Sequence, residues 1–148
     1  MAAQAGKILG GGSAINGAVA KRALPSDFAR WLAHDLRDWD FAHVLEWYKT
    51  LEDTPAGADE WHGRTGPFPV RQPAFEETTH TLRGFVKAAM ATGFPFIDDC
   101  NGWEQHGVGI DPMNVINGVR QNSAIAYLPD EVRAREPDSA PAGRTLIG

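Results

Sequence analysis

The sequence has a single cysteine, Cys100, and no long apolar run. One thiol cannot form an internal disulfide, and a chain so poor in cysteine suits a reducing compartment. The most apolar stretch near the start, residues 8–20, has only 13 residues and is interrupted by glycine. It is too short to cross a bilayer and too broken for the core of a signal peptide. We therefore predict a cytoplasmic location and no membrane partner.

Clusters of positive charge are missing as well. The chain carries 14 Lys and Arg against 19 Asp and Glu, a formal net charge of −5, and its longest basic cluster is the pair Lys21-Arg22. Nucleic-acid binding requires a basic face that neutralises phosphates, so the composition excludes nucleic acid as the main partner. The five histidines show no spacing of three or four on a common face, and we predict no metal site.

Aromatic residues, glycine and proline are plentiful by contrast. Five Trp and seven Phe supply large core side chains that disordered chains lack. The 16 Gly and 10 Pro predict many loops. A chain of this length can bury roughly two thirds of its unfolded surface, so it can form a globular unit.

Apolar periodicity and capping residues predict five helices and little else. The predicted helices cover residues 13–22, a short stretch after Ser26, residues 41–51 with Asp40 as cap, residues 75–92 ended by Gly93, and residues 122–135 with an interruption near Pro129. Only residues 68–70 and 108–110 carry strand signals. The predicted class is α+β, mostly helical, with long loops and little sheet.

Two of these helices each carry one apolar stripe that must be buried. We expect the helix of residues 41–51 to pack against the helix of residues 75–92 for this reason. The expected contacts are Phe41, Leu45, Tyr48, Leu82, Phe85 and Val86.

Several polar residues receive a structural interpretation. His62 is expected to organise a turn rather than to act in catalysis, and Glu46 and Glu52 to be solvated or paired with Lys49. Residues 98–101 could suggest a calcium loop, but the bidentate glutamate at its twelfth position is missing, so a structured turn is expected.

The segment of residues 6–16 has three consecutive glycines directly before the first predicted helix. Glycine lets a backbone approach a ligand closely, and the N–H groups at a helix start bind phosphates and other anions. Ser13 and Asn16 add polar side chains one turn apart. A glycine-rich turn that packs the helix tightly against its neighbour is the alternative, and the residues alone leave both interpretations open.

Two nucleotide-binding motifs do not fit this segment. A P-loop needs a lysine after its glycines, whereas Lys7 precedes them. A dinucleotide fingerprint needs a third glycine where Ile15 stands, and a strand before the motif. We therefore predict that the chain lacks a self-contained nucleotide-binding fold.

Further motifs follow this segment in a characteristic order as far as about residue 135. After Gly-Lys-x-Leu-Gly-Gly-Gly-Ser-x-Ile-Asn at residues 6–16 come His62-Gly63 with Gly66-Pro67, then Asp99-x-Asn101, then Gly118-Val119-Arg120 with Ser123. As an ordered series they closely resemble the glucose-methanol-choline (GMC) family of flavin oxidoreductases.

The resemblance implies an FAD-dependent oxidoreductase that acts on the CH–OH group of a small-molecule alcohol by hydride transfer to the flavin. In that family the glycine segment and the following Asn line the FAD. Carried over by position, the contacts would be Gly10, Gly11, Gly12, Ser13, Asn16, Gly17 and Val19. Some members attach the flavin through a His just before that Asn, but this chain has Ile15 there, so non-covalent FAD is expected.

The resemblance also implies that parts of the family pattern are missing. Members begin with a βαβ dinucleotide fold and end with a region that bears the catalytic His, so we expect a fragment of the two-domain FAD-binding and substrate-binding fold, inactive alone and without catalytic residues. Residues 1–24 would be a flavin-contacting loop and helix, and residues 25–148 a helical and loop region. The tail of residues 136–143 departs from the family pattern.

Two alternatives stay open from the sequence. The chain could be a non-catalytic remnant or an interaction module that retains the family pattern. Arg120 and Ser123 could contact cofactor or substrate in a complete enzyme, while Asn122 or Ser123 could instead cap the last helix.

Overall fold

Short helices and turns dominate the computed structural model of the chain, which describes residues 5–134. The helices are α1 (Pro25–Leu32), α2 (Phe41–Leu51), α3 (His80–Ala91), α4 (Ser123–Tyr127) and α5 (Asp130–Arg133). The strands have two residues each: β1 (Glu52–Asp53), β2 (Phe68–Pro69), β3 (Phe96–Ile97), β4 (Val108–Gly109), β5 (Val115–Ile116) and β6 (Val119–Arg120). An α+β fold with little sheet is confirmed. The predicted helix end at Arg135 and the tail of residues 136–143 lie outside the described residues.

The strands form three separate pairs. β1 pairs with β2 and β3 with β4, both in parallel, while β5 and β6 form an antiparallel hairpin. Both predicted strand segments, residues 68–70 and 108–110, therefore contain a strand. None of the helices within residues 5–134 is long and apolar enough to cross a membrane.

The helix starts follow local capping chemistry. The Asp40 side chain accepts a hydrogen bond from His43 N at 2.8 Å, as predicted for the start of α2. Asn122 accepts from Ile125 N at 3.0 Å at the start of α4, so Asn122 rather than Ser123 is the cap. α5 begins after Pro129, which confirms the predicted interruption.

The predicted helix of residues 75–92 is broken near its start. Phe75–Glu77 is a 3-10 turn, and α3 begins only at His80. The break has a local cause, because the Thr78 hydroxyl donates to Phe75 O at 2.7 Å and Thr79 accepts from Leu82 N. Such side-chain bonds compete with the helical ladder. Gly93, with φ +100°, ends α3 as predicted.

The predicted first helix, residues 13–22, is wrong. The structure has a 3-10 turn at Gly11–Ala14, followed by irregular backbone. Asn16 Oδ1 accepts from Ala18 N at 2.9 Å, and Ala18 has a left-handed φ of +60°. This Asn-centred turn replaces the helix, because Asn side chains bond readily to backbone two residues on.

The predicted packing of α2 on α3 is also wrong. The buried core cluster consists of Val86 from α3 with Val108 and Ile110 around β4. Phe85, expected at the helix interface, is 64% exposed. α2 instead packs against α1, where Phe28 and Phe41 have ring centroids 5.8 Å apart. Val86 is the residue of α3 that is buried against β4, while Leu82 and Phe85 of the predicted stripe are exposed.

Removal of the Phe28 ring tests this arrangement. Phe28 is 2% exposed, so Phe28→Ala should lower the free energy of unfolding by about 3–5 kcal/mol. Phe85→Ala is the matched control and should change it by less than about 0.5 kcal/mol. Urea denaturation of both variants measures the difference. A larger loss of unfolding free energy for Phe85→Ala than for Phe28→Ala would favour packing of α2 on α3 instead.

Candidate functional site

A buried network of charged side chains joins four distant parts of the chain. Arg22 Nη2 donates to Glu52 Oε1 at 2.7 Å, and both side chains are almost fully buried. His62 lies between two carboxylates, with Nδ1 2.7 Å from Glu52 Oε1 and Nε2 2.8 Å from Asp99 Oδ2. Asn101 Oδ1 accepts from Arg22 N at 2.9 Å, which ties the network to the backbone.

Local structure explains why these groups meet. Glu52 follows the last residue of α2, and Gly63 lets the next chain segment approach that helix end closely. A Cβ atom at Gly63 would lie 1.7 Å from Lys49 O, so this position accepts no side chain without a shift of the backbone. The Gly63 N–H also donates to Glu52 Oε1 at 3.2 Å.

The charges in this network stabilise one another. Burial alone would lower the pKa of His62, but the hydrogen bonds to Asp99 and Glu52 outweigh burial and raise this pKa to about 9. Burial opposes ionisation of Asp99, yet the hydrogen bond from His62 and the one from Asn101 N hold the pKa of Asp99 below its usual value. His62 is therefore an imidazolium at neutral pH, donating from both ring nitrogens.

A structural role follows for His62. Both ring nitrogens are engaged and the side chain is buried, so no nitrogen is free to accept a proton from a substrate. The interpretation of His62 as an organiser of a turn agrees with this geometry. The expectation for Glu52 is wrong, since Glu52 is 5% exposed and pairs with Arg22 and His62, whereas Glu46 is the partner of Lys49.

A second arrangement surrounds residues 10–19, which we call the glycine loop. Ser13 Oγ donates to Gly10 O at 2.6 Å and accepts from Ser123 N at 2.9 Å. Arg120 Nη1 donates to Asn16 Oδ1 at 2.5 Å and to Ser13 O at 3.3 Å. The segment of residues 120–123 thus holds the loop from one side.

The predicted cofactor residues remain together on this loop, mostly at its surface. Gly10 has φ +92° and packs on the Asn122 side chain, while Ser13 is half-buried. Val19 is 46% exposed and forms an isolated antiparallel bridge with Met113. The exposed members are Gly12, Asn16, Gly17 and Val19.

The open side of the loop is lined by glycine. A Cβ atom added at Gly11, Gly12 or Gly17 would meet no atom of the described residues within 4 Å. The left-handed φ of Gly11, +52°, explains why glycine occupies that position. Gly12 and Gly17 have neither a left-handed φ nor a close neighbour. Packing within the described chain therefore does not explain glycine at these two positions, whereas an external molecule in close contact with the backbone would.

Sequence reasoning left the contribution of residues 120–123 undecided. The hairpin of β5 and β6 turns at Asn117 and Gly118, which have φ +51° and +77°. Asn-Gly between apolar residues is the strongest short hairpin signal, and it would have placed Arg120 in a paired strand. No sequence signal indicated that this strand ends beside the glycine loop.

Metal binding has no support in residues 5–134, where no three His, Cys, Asp or Glu side chains are grouped to hold an ion. Cys100 is buried, and burial raises the pKa of its thiol.

The sequence is similar to those of known flavin oxidoreductases over most of its length. The family model described as GMC oxidoreductase matches residues 1–137. The chain is 35% identical over 130 residues to an oxygen-dependent choline dehydrogenase of Rhizobium etli, covering 88% of this chain and 23% of that protein. A choline dehydrogenase of the same description from Brucella ovis is 37% identical over 123 residues, covering 83% of this chain and 22% of that protein. The chain thus spans less than a quarter of the length of these curated relatives.

Solved structures show the same fold. Pyridoxine 4-oxidase from Mesorbium loti superposes with a TM-score of 0.82 at 33% identity, covering 89% of this chain and 26% of that one. An FAD-dependent oxidoreductase from Chaetomium thermophilum gives a TM-score of 0.74 at 22% identity, covering 88% and 24%.

The pKa of His62 predicts how stability depends on pH. The pKa of His62 is raised from 6.5 to about 9. The stabilisation that protonated His62 gives the folded state is therefore complete below pH 6.5 and is lost as pH rises through about 9. The loss should amount to about 3 kcal/mol in the free energy of unfolding. Urea denaturation at about pH 6 and about pH 10 measures it.

Two variants separate His62 from other groups that titrate at high pH. His62→Gln should remove most of the difference between the two pH values, whereas exposed His106→Gln should keep it. An unfolding free energy of the unmodified chain that is equal at both pH values would contradict the charged state of His62.

Proposed function

Because this chain belongs to the GMC oxidoreductase family, we propose that it forms part of the flavin site of an FAD-dependent oxidoreductase that acts on the CH–OH group of an alcohol. The chain would be a fragment of a two-domain fold, with the flavin-contacting part in residues 1–24 and a supporting part in residues 25–148. The proposed FAD contacts are Gly10, Gly11, Gly12, Ser13, Asn16, Gly17 and Val19.

The main support for this proposal is the open space beside the glycine loop. Gly12 and Gly17 present bare backbone to a space that the described residues leave empty, so a planar or phosphorylated group can approach to van der Waals contact. The loop is held before any ligand arrives, because Ser13 is fixed by Ser123 and Asn16 by Arg120. A preformed loop costs less conformational entropy on binding than a mobile one.

Some polar groups of the loop form hydrogen bonds within the chain, and one remains available to bind the cofactor. Ser13 Oγ and Asn16 Oδ1 are already engaged within the chain. Asn16 Nδ2 bonds to none of the described residues, so it is the side-chain donor that this loop offers to FAD. Ile15 is 55% exposed and has no nucleophilic atom, which supports non-covalent attachment.

Bound FAD supplies the hydride acceptor for alcohol oxidation, and the role of this chain is to bind and orient it. Acceptance of the hydroxyl proton requires a base, and within residues 5–134 no histidine is bonded to the glycine loop. His62 is buried and His43 is paired with Asp40. We propose that the base lies outside the described residues.

The substrate is proposed only as a class. The relatives named above are described as enzymes of choline and pyridoxine, which are both alcohols. An alcohol small enough to reach the flavin is the substrate that this resemblance supports.

A binding experiment tests the loop directly. The 15N-labelled chain is titrated with FAD to millimolar concentration, where amide shifts detect weak binding. We expect shifts at residues 10–19 and 120–123. Gly12→Ala should weaken FAD binding at least about tenfold, or 1.4 kcal/mol, because its methyl group enters the open space.

Gly84→Ala is the matched control for this experiment. Gly84 also faces open space but lies on α3, so its replacement should leave FAD binding unchanged and α3 slightly more stable. Equal FAD affinity of the Gly12→Ala chain, or shifts that avoid the loop, would contradict the assignment.

Activity provides a separate prediction. The chain with added FAD should show no turnover of choline or other primary alcohols, because general-base catalysis of the kind proposed to lie elsewhere contributes about 10²–10⁴-fold. Flavin-dependent oxidation by the purified chain would show that the base is within it.

A further inference from the structure

Arg120 differs from most arginines of the described chain in having no acidic partner. Within residues 5–134, only Arg83 and Arg120 among the arginines contact no carboxylate. Arg83 is bonded to Glu76 O and His80 on α3. Arg120 is half-buried and lies at the glycine loop.

One end of the Arg120 guanidinium is fixed and the rest is free. Nη1 donates to Asn16 Oδ1 at 2.5 Å and to Ser13 O at 3.3 Å. Nε and Nη2 bond to none of the described residues. The β5–β6 hairpin holds the backbone of Arg120, since Arg120 pairs with Val115 across the ladder.

This arrangement suits an oxyanion. A partly buried charge without a counter-charge is unfavourable, and an anion at the free N–H groups would offset that cost. Guanidinium presents its donors in a planar fork that matches phosphate oxygens. A neutral side chain would suffice if the only task were to hold Asn16.

We propose that Arg120 is a binding residue for the pyrophosphate of FAD, with Asn16 and Ser13 orienting its guanidinium toward the phosphate oxygens. The inference rests on the proposed function, because it assumes that FAD occupies the glycine loop. It adds to that loop a charged residue more than a hundred positions away in sequence, supplied by β6.

The experiment separates the two halves of the cofactor. Inorganic pyrophosphate carries the anion without the ring, and riboflavin carries the ring without phosphate. Each is titrated into the 15N-labelled chain and into Arg120→Lys, Arg120→Gln and Arg83→Gln chains. Amide shifts at residues 10–19 report binding, and thermal unfolding confirms that each variant is folded.

Pyrophosphate should bind Arg120→Gln at least about tenfold more weakly than the unmodified chain, and Arg120→Lys should be intermediate because lysine keeps the charge but lacks the fork. Arg83→Gln should bind like the unmodified chain. Riboflavin binding should be unchanged in every variant. Added salt should weaken pyrophosphate binding to the unmodified chain more than to Arg120→Gln.

Different failures point to different claims. If FAD shifts the loop amides but pyrophosphate binds equally to the unmodified and Arg120→Gln chains, the role of Arg120 is wrong and the proposed function stands. If Arg120→Gln weakens riboflavin and pyrophosphate alike, Arg120 only positions the loop and the inference is overturned. If FAD shifts no loop amide, the proposed function itself fails.

Discussion

A buried ion pair of Arg22 with Glu52, extended by His62 and Asp99, ties several loops of this chain together. It joins parts of the chain that are 30 and 37 residues apart in sequence, in a molecule whose strands have two residues each. Two-residue strands supply few backbone hydrogen bonds to hold these segments together. A buried network of this kind is costly when one partner is removed, because an unpaired charge remains in the interior. Charge pairing therefore helps to position the loops, together with the aromatic contacts of Phe28, Phe41 and Trp61.

The network also holds the chain directly after the glycine loop. Asn101 accepts from Arg22 N at 2.9 Å and donates to Ala20 O at 2.8 Å, so the chain is held directly after the loop. The other side of the loop is held by Ser123 and Arg120. Because both sides of the loop are held, its backbone is ordered before a ligand binds, and binding costs less conformational entropy.

Sequence patterns predicted the features that depend on neighbours in the chain. Asp40 capping α2, Gly93 ending α3 and the interruption at Pro129 all follow from local chemistry, and all are present. Failures occurred where a side chain has two possible partners. Asn16 closes a turn instead of continuing a helix, and Glu52 turns inward to Arg22 instead of outward to solvent. Periodicity does not distinguish these outcomes, because it weighs neither a local side-chain bond such as that from Ala18 N to Asn16 nor a partner 30 residues away such as Arg22.

In the candidate site, too, the sequence predicted local features but not contacts between distant residues. The glycine segment was found from its composition and its resemblance to a family, but the expected helix start is absent, so its suitability for a ligand rests on bare backbone and on Arg120 instead of a helix dipole. The link from Arg120 to Asn16 spans 104 residues and has no sequence signature.

Intermolecular nuclear Overhauser effects between FAD and the chain would show whether FAD binds at the glycine loop. We expect contacts from flavin or ribityl protons to the amides of Gly11, Gly12 and Gly17. Contacts confined to another surface, such as the groove lined by Trp61 and Trp103, with none to the loop, would contradict it.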